Sequence, residues 1–376
     1  MKNTLLFIGY VLTVSSSLAQ TIIPQPSQRK VQVAILFDTS NSMDGLIDQA
    51  KSKIWNIVND LTGLRHQGQV PTIEIALYDY GNSGLNASAN YVRKQIDLTT
   101  DLDAISQKLF GLSTNGGAEY CGGVISASLS ELEWTNHPQD LRLIYIAGNE
   151  PFNQGPVDYK EVCALAANKD ITVNTIYCGD YDQGVRELWY DGAKLGKGDY
   201  FNINSNEVAV HIQTPYDDKI NAYNDSLNRT YYGYGDYGAS GKMNQSLQDH
   251  NAASESVSTK AERAIVKSKS AYENSSWDLI DAVTSEKADV TQMDDKDLPD
   301  EFKGLSDEAK KELIEKKSEE RKAFQSQISE LAKKRSEYIE QEKKNGGLSS
   351  DDFGSSVQKS MMKRAENLGY EKETMP

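Results

Sequence analysis

Between Val31 and about Thr214, apolar β-rich runs alternate with amphipathic segments, and this alternation restricts the fold more than any other feature of the sequence. Val31–Phe37, Thr72–Tyr78, Tyr91–Ile96, Leu141–Ile146 and Ile171–Tyr177 read as strands, with Tyr200–Ile203 as a short closing strand. Leu46, Ile47, Ala50, Ile54, Ile57, Val58 and Leu61 recur at helical spacing, as do Leu102, Ile105 and Leu109. Val124, Ile125, Ala127, Ser128 and Leu132 mark a third helix and Val162–Ala167 a fourth. The expected class is α/β, a doubly wound and mainly parallel sheet with helices on both faces, Rossmann-like in outline. In such sheets the strand-to-helix junctions collect on the carboxyl rim, where ligands bind.

The flanking segments differ. Lys2, the apolar run Leu5–Leu12 and the small residues Ser17 and Ala19 read as a secretory signal peptide over residues 1–19, which predicts export to the periplasm or cell exterior. No later run is long enough for a transmembrane segment. The α/β domain is expected over 30–215. Residues 216–245, with Tyr231-Tyr232-Gly233-Tyr234-Gly235, read as a Tyr/Gly-rich linker, 246–344 as a charged helical region and 345–376 as a flexible tail around a short helix. Within the helical region Phe324, Ile328, Leu331, Arg335 and Tyr338 follow a four-three spacing, which suits a helical hairpin, a short coiled coil or a helix lying against a partner.

The first strand runs directly into Asp38-Thr39-Ser40-Asn41-Ser42 and then a helix. Asp and Ser also cap helices, so the pentapeptide alone is a common pattern. Its place at the end of the first apolar strand makes it specific, and here the sequence resembles von Willebrand factor A (vWA) domains of an uncharacterised exported bacterial group. The resemblance covers about half of the chain. It implies a metal-ion-dependent adhesion site (MIDAS), in which Ser40 and Ser42 bind a divalent cation with Asp38 close by. Hard oxygen donors suit magnesium, and manganese or calcium as alternatives; open coordination positions remain for a carboxylate from a protein partner.

Two further loops complete the site in that family, and both depart from its pattern. In the second, Ser113–Ile125, Tyr120 stands where a Thr ligand is usual, leaving Glu119 as first choice and Thr114 as second. In the third, Gly148 takes the place of an Asp; Glu150 or Glu119 could supply the missing carboxylate, or the site is weakened. Asp79 and Asp180 should lie on the same rim, either enlarging an acidic cleft or as solvated turn residues.

A net charge of −15 argues against a nucleic-acid partner. The cysteines are Cys121, Cys163 and Cys178. Cys121 opens a helix and Cys178 ends a strand, both at the rim, so a disulfide, if one forms, should join these two and leave Cys163 free. The sequence contains no Gly-x-Ser-x-Gly elbow, no His-Glu-x-x-His and no Cys with a neighbouring His. The reading is a non-enzymatic, exported binding or adhesion module; the alternative is a structural or scaffolding protein acting through its C-terminal helices, with a vestigial metal site.

Overall fold

The computed structural model describes residues 28–203, 212–345 and 352–373. The expected signal peptide over 1–19 lies outside them. Strand β1 (Lys30–Asp38) is followed by α1 (Ile47–Leu61), a short β2 (Leu64–His66), β3 (Thr72–Tyr80) and β4 (Val92–Thr99). Then come α2 (Leu102–Phe110), α3 (Cys121–Glu131), β5 (Leu141–Gly148), α4 (Tyr159–Asn168) and β6 (Thr172–Cys178). Two short helices, α5 (Tyr181–Arg186) and α6 (Trp189–Leu195), lead into β7 (Lys197–Ile203). Aspartates fix several helix starts: Asp101, Asp158 and Asp180 accept main-chain N–H bonds at the starts of α2, α4 and α5.

Six strands form one sheet in the order β4-β3-β1-β5-β6-β7. β1 is parallel to both β3 and β5, and the pairs β5–β6 and β6–β7 are parallel. β4 returns antiparallel to β3, because the connection from Gly81 to Tyr91 is too short for a crossover helix. This is the expected doubly wound, mainly parallel α/β sheet. Strand alternation divides its core: Val33, Ile35 and Phe37 of β1 join α1 and α2 on one face, while Ala34 and Leu36 join Cys121, Val124, Val162 and Cys163 of α3 and α4 on the other. From β1 the sheet grows outward to β3 on one side and to β5 on the other, so the ends of β1 and β5 meet at a topological switch point.

The expected linker over 216–245 is mostly helical: α7 (Asp217–Asn228) and α8 (Gly235–Glu255) occupy it. Its glycines serve packing. A Cβ at Gly241 would lie 2.3 Å from the Trp277 ring, and one at Gly238 would strike the Gly233 main chain. Charged helices follow, as α9 (Val257–Lys267), α10 (Leu279–Thr284) and the 38-residue α11 (Asp307–Lys344), with irregular turns between α9 and α11. The four-three stripe of α11 is spent inside the molecule. Ile328 and Leu331 are buried, Phe324 and Tyr338 meet Tyr223 and Tyr216 of the α7 segment, and Arg335 pairs with Asp217 and Glu262.

The flexible tail expected over 345–376 is also structured where it is described. Helix α12 (Asp352–Asn367) buries Phe353, Val357, Met361 and Ala365, one residue in four, against α1 and β7, and β8 (Tyr370–Lys372) pairs antiparallel with β2. The α/β core therefore takes one of its covering helices from the far end of the chain.

Candidate metal site on the carboxyl rim

Asp38, the last residue of β1, is fully buried. Its Oδ1 accepts the Ser40 main-chain N–H at 2.8 Å, whereas Oδ2, closed off from solvent, has no hydrogen-bond partner among the described residues. Burial pushes this carboxyl up to about 7; the Ser40 N–H and hydroxyl oppose the rise, and the charges of Glu119 and Glu150 add to it. The Ser40 and Ser42 hydroxyls lie 2.8 Å apart. Ser40 is buried and Ser42 exposed, so the donor set opens from the core onto the surface.

The second loop is stitched to the first by main-chain bonds from Asn41 N–H to Gly116 O (2.6 Å) and from Asn115 N–H to Thr39 O (3.0 Å). This brings in Glu119, which is buried. Gly81, with φ of +80°, sits between the two carboxylates: a Cβ there would fall 2.7 Å from Asp38 Oδ1 and 3.1 Å from Glu119 Cγ. Burial raises the Glu119 carboxyl, the Glu150 charge adds to this, and the Ser40 hydroxyl acts in the other direction. Thr114, the second choice for this loop, instead donates to Asp44 on the exposed side and is not brought to the centre.

The third loop answers the question that Gly148 raises. A Cβ at 148 would lie 2.6 Å from Tyr80 Oη, 3.0 Å from Asp38 Oδ2 and 3.0 Å from Trp189 Cη2. Tyr80 donates to Ala147 O at 3.1 Å and the buried Trp189 donates to Glu150 O at 2.8 Å, so two aromatic side chains occupy the space a carboxylate would need. Glu150 contributes charge but is not drawn into a cluster; among the described residues no group of three or more His, Cys, Asp or Glu side chains is assembled to hold a metal.

The residue that sequence reasoning passed over is Asn149. Its Oδ1 accepts the Ser42 hydroxyl at 2.9 Å and its Nδ2 donates to Ser42 O at 2.9 Å, fixing the outermost donor of the pentapeptide. The available signal was an amide beside the Gly that replaces the usual Asp.

Asp79 is neither in the cleft nor solvated: it is buried on β3 and takes a two-pronged contact from Arg93 at 2.7 and 3.0 Å. Asp180 caps α5 through Gln183 N–H at 2.9 Å. The Cys121–Cys178 pairing, expected if any disulfide formed, is not made: all three cysteines are free and buried. Both residues do stand near the rim, but Cys178 points into the core on the α1 side of the sheet and Cys121 into the core on the α3 side. Placing residues along a strand fixes their height and leaves their face open.

A buried carboxylate with an orphaned oxygen, two adjacent hydroxyls and a second buried carboxylate make a hard-oxygen donor set that fits a small divalent cation. No family model and no curated protein matches the sequence. Among solved structures the chain is similar to the conserved hypothetical protein BatB from Bacteroides thetaiotaomicron, with 19% identity over 46% of this chain and 90% of that one and a TM-score of 0.34. It is also similar to the SpRpn10 VWA domain, with 14% identity over 47% of this chain and 90% of that one and a TM-score of 0.35. A third is proximal thread matrix protein 1 from the mussel byssus, in a form with a zinc-occupied MIDAS motif: 12% identity over 48% of this chain and 43% of that one, TM-score 0.35. The α/β part of this chain is a doubly wound, mainly parallel sheet with Asp38-x-Ser40-x-Ser42 at the end of its first strand.

Proposed function

We propose that the chain is a non-catalytic binding module whose vWA domain grips a protein partner through a divalent cation, magnesium or in its place manganese or calcium. The observation that supports this most is the Asp38 carboxylate: fully buried, with one oxygen unpartnered, beside two hydroxyls that lead to the surface. Leaving such a group uncompensated costs several kcal/mol of desolvation, roughly, and a site that tolerates the cost reads as one completed by a ligand. Asp38, Ser40, Ser42 and Glu119 would hold the ion, and Asn149 sets the direction of Ser42. The ion would supply an open coordination position to a partner carboxylate.

The non-enzymatic part of the proposal is supported by the thiols, all three buried and pushed up by burial, away from nucleophilic thiolate. The scaffolding alternative has less support, because the apolar stripe of α11 is already covered by α7 and α9. Export to the periplasm or exterior rests on the N-terminal sequence; no helix among the described residues is long and apolar enough to cross a membrane.

The test is capture from a native envelope extract by the immobilised full chain, in magnesium and in chelator. Partner bands should appear with magnesium, disappear with chelator, and be lost in Ser42→Ala, whose exposed position leaves the fold alone. Capture indifferent to both chelator and Ser42→Ala contradicts the reading.

A further inference from the structure

The loop joining α7 to α8 lines an open cleft of about 780 Å³ with α8 and α11, which shares no residue with the rim site. That is the size range of small-molecule sites and well above what a bare inorganic ion needs. Three of its lining cations differ in how their charge is answered. Lys317 is neutralised by Glu320 at 2.8 Å. Among the described residues the Arg229 guanidinium bonds only the Ser226 hydroxyl, at 3.0 Å. Lys242, half-buried, donates to Asn228 O and to Gln245 Oε1 at 3.3 Å and lies 5.5 Å from the Tyr231 ring centroid, with no carboxylate partner among the described residues.

An ammonium has three donors and two are used here, so one N–H is left over; the carboxylates that act on it, Asp278 and Asp249, do so from a distance without a contact among the described residues. Burial lowers the Lys242 amine to about 8, the Arg321 charge adds to this, and the charges of Asp278 and Asp249 oppose it. Arg321, packed 3.9 Å from the same Tyr231 ring, is by contrast answered by direct contacts with Asp278 and Asp281. Tyr232 and Phe324, both half-buried, offer apolar wall, while Glu301 and Glu320 line the same space and disfavour a doubly charged occupant.

We infer that this cavity binds a small organic monocarboxylate, its charge met by Lys242 and its body lying against Tyr232 and Phe324. The site is separate from the metal centre and does not depend on the function proposed above.

The test is calorimetry on the full chain with 3-phenylpropionate, its neutral amide and inorganic phosphate as probes. The carboxylate should bind saturably at millimolar concentration. The amide should bind about tenfold more weakly or worse, as expected for loss of one charge-assisted hydrogen bond. Lys242→Met, which keeps an unbranched side chain one atom shorter and without the charge, should weaken the carboxylate by the same factor. Equal binding of the amide makes the cavity merely apolar and overturns the inference; so does phosphate binding as well as the carboxylate, or no binding of the carboxylate. Should Lys242→Met fail to fold, the comparison of carboxylate with amide on the wild type still decides.

Discussion

Asp38→Asn should make the metal-free protein more stable at pH 8, by up to about 4 kcal/mol, while removing its response to divalent cations. Asparagine keeps the oxygen that accepts the Ser40 N–H and removes a charge that burial disfavours. The folded carboxyl titrates near 7 against 3.8 for the free side chain, and each factor of ten in proton affinity is worth about 1.4 kcal/mol. Between these two values the folded state holds the proton and the unfolded state has released it, so stability falls as pH rises from about 4 and the full penalty is present above 7. The gain from Asp38→Asn should accordingly vanish near pH 4. Urea denaturation of both proteins at pH 4 and pH 8 in chelator measures it; a variant less stable than wild type at pH 8 would show that the carboxylate is satisfied within the fold.

The second large effect lies where the two halves of the chain meet. Arg263 of α9 reaches Asp249 of α8 at 2.6 Å and lies 2.8 Å from Asp103 of α2, whose other oxygen accepts the Tyr272 hydroxyl at 2.6 Å; Lys267 adds a contact to Asp249 at 2.9 Å. All of these groups are buried. Arg263→Met takes the cation from Asp103 and leaves a buried carboxylate unpaired, a change that costs about 3–5 kcal/mol. Lys260→Met, at the solvent-facing pair with Asp225, should cost under about 1 kcal/mol. Because the cluster spans α2, α8 and α9, the loss should lower one shared unfolding transition. Two separate transitions in wild type would mean that the helical half is an independent domain.

Much of the α/β core is legible in the sequence, because strands covered on both faces leave long apolar runs and helices leave a period. At the rim β1 runs one residue further than its apolar segment suggests, and β3 and β5 two, since ends such as Asp38, Asp79-Tyr80 and Ala147-Gly148 carry little strand signal. The C-terminal half was harder. Phe353, Val357, Met361 and Ala365 do repeat at four-residue spacing, but Ser, Gln, Lys and Met between them mask the stripe, and its acceptor surface on α1 and β7 lies far away in sequence. Gly238 and Gly241 look like flexibility when read locally and prove to be contact points for Gly233 and Trp277.

At the site, Asp38, Ser40, Ser42 and Glu119 could be picked out because the pentapeptide is contiguous and the Gly-Gly loop adjoins a helix. Asn149 left only the weak signal of an amide beside Gly148, since its role exists once the end of β5 is set beside the end of β1. Tyr80 and Trp189 take the place that Gly148 vacates, and no local pattern links three residues so far apart in sequence.

The measurement closest to the central claim is a calorimetric titration of magnesium, manganese and calcium into the metal-free full chain, with melting temperature followed in parallel. At least one ion should give a saturable heat at millimolar concentration or below and raise the melting temperature, as binding to the folded state alone requires, and Asp38→Asn should give neither. No heat and no shift with any of the three ions, or the same heat in Asp38→Asn as in wild type, would contradict a cation site built on Asp38.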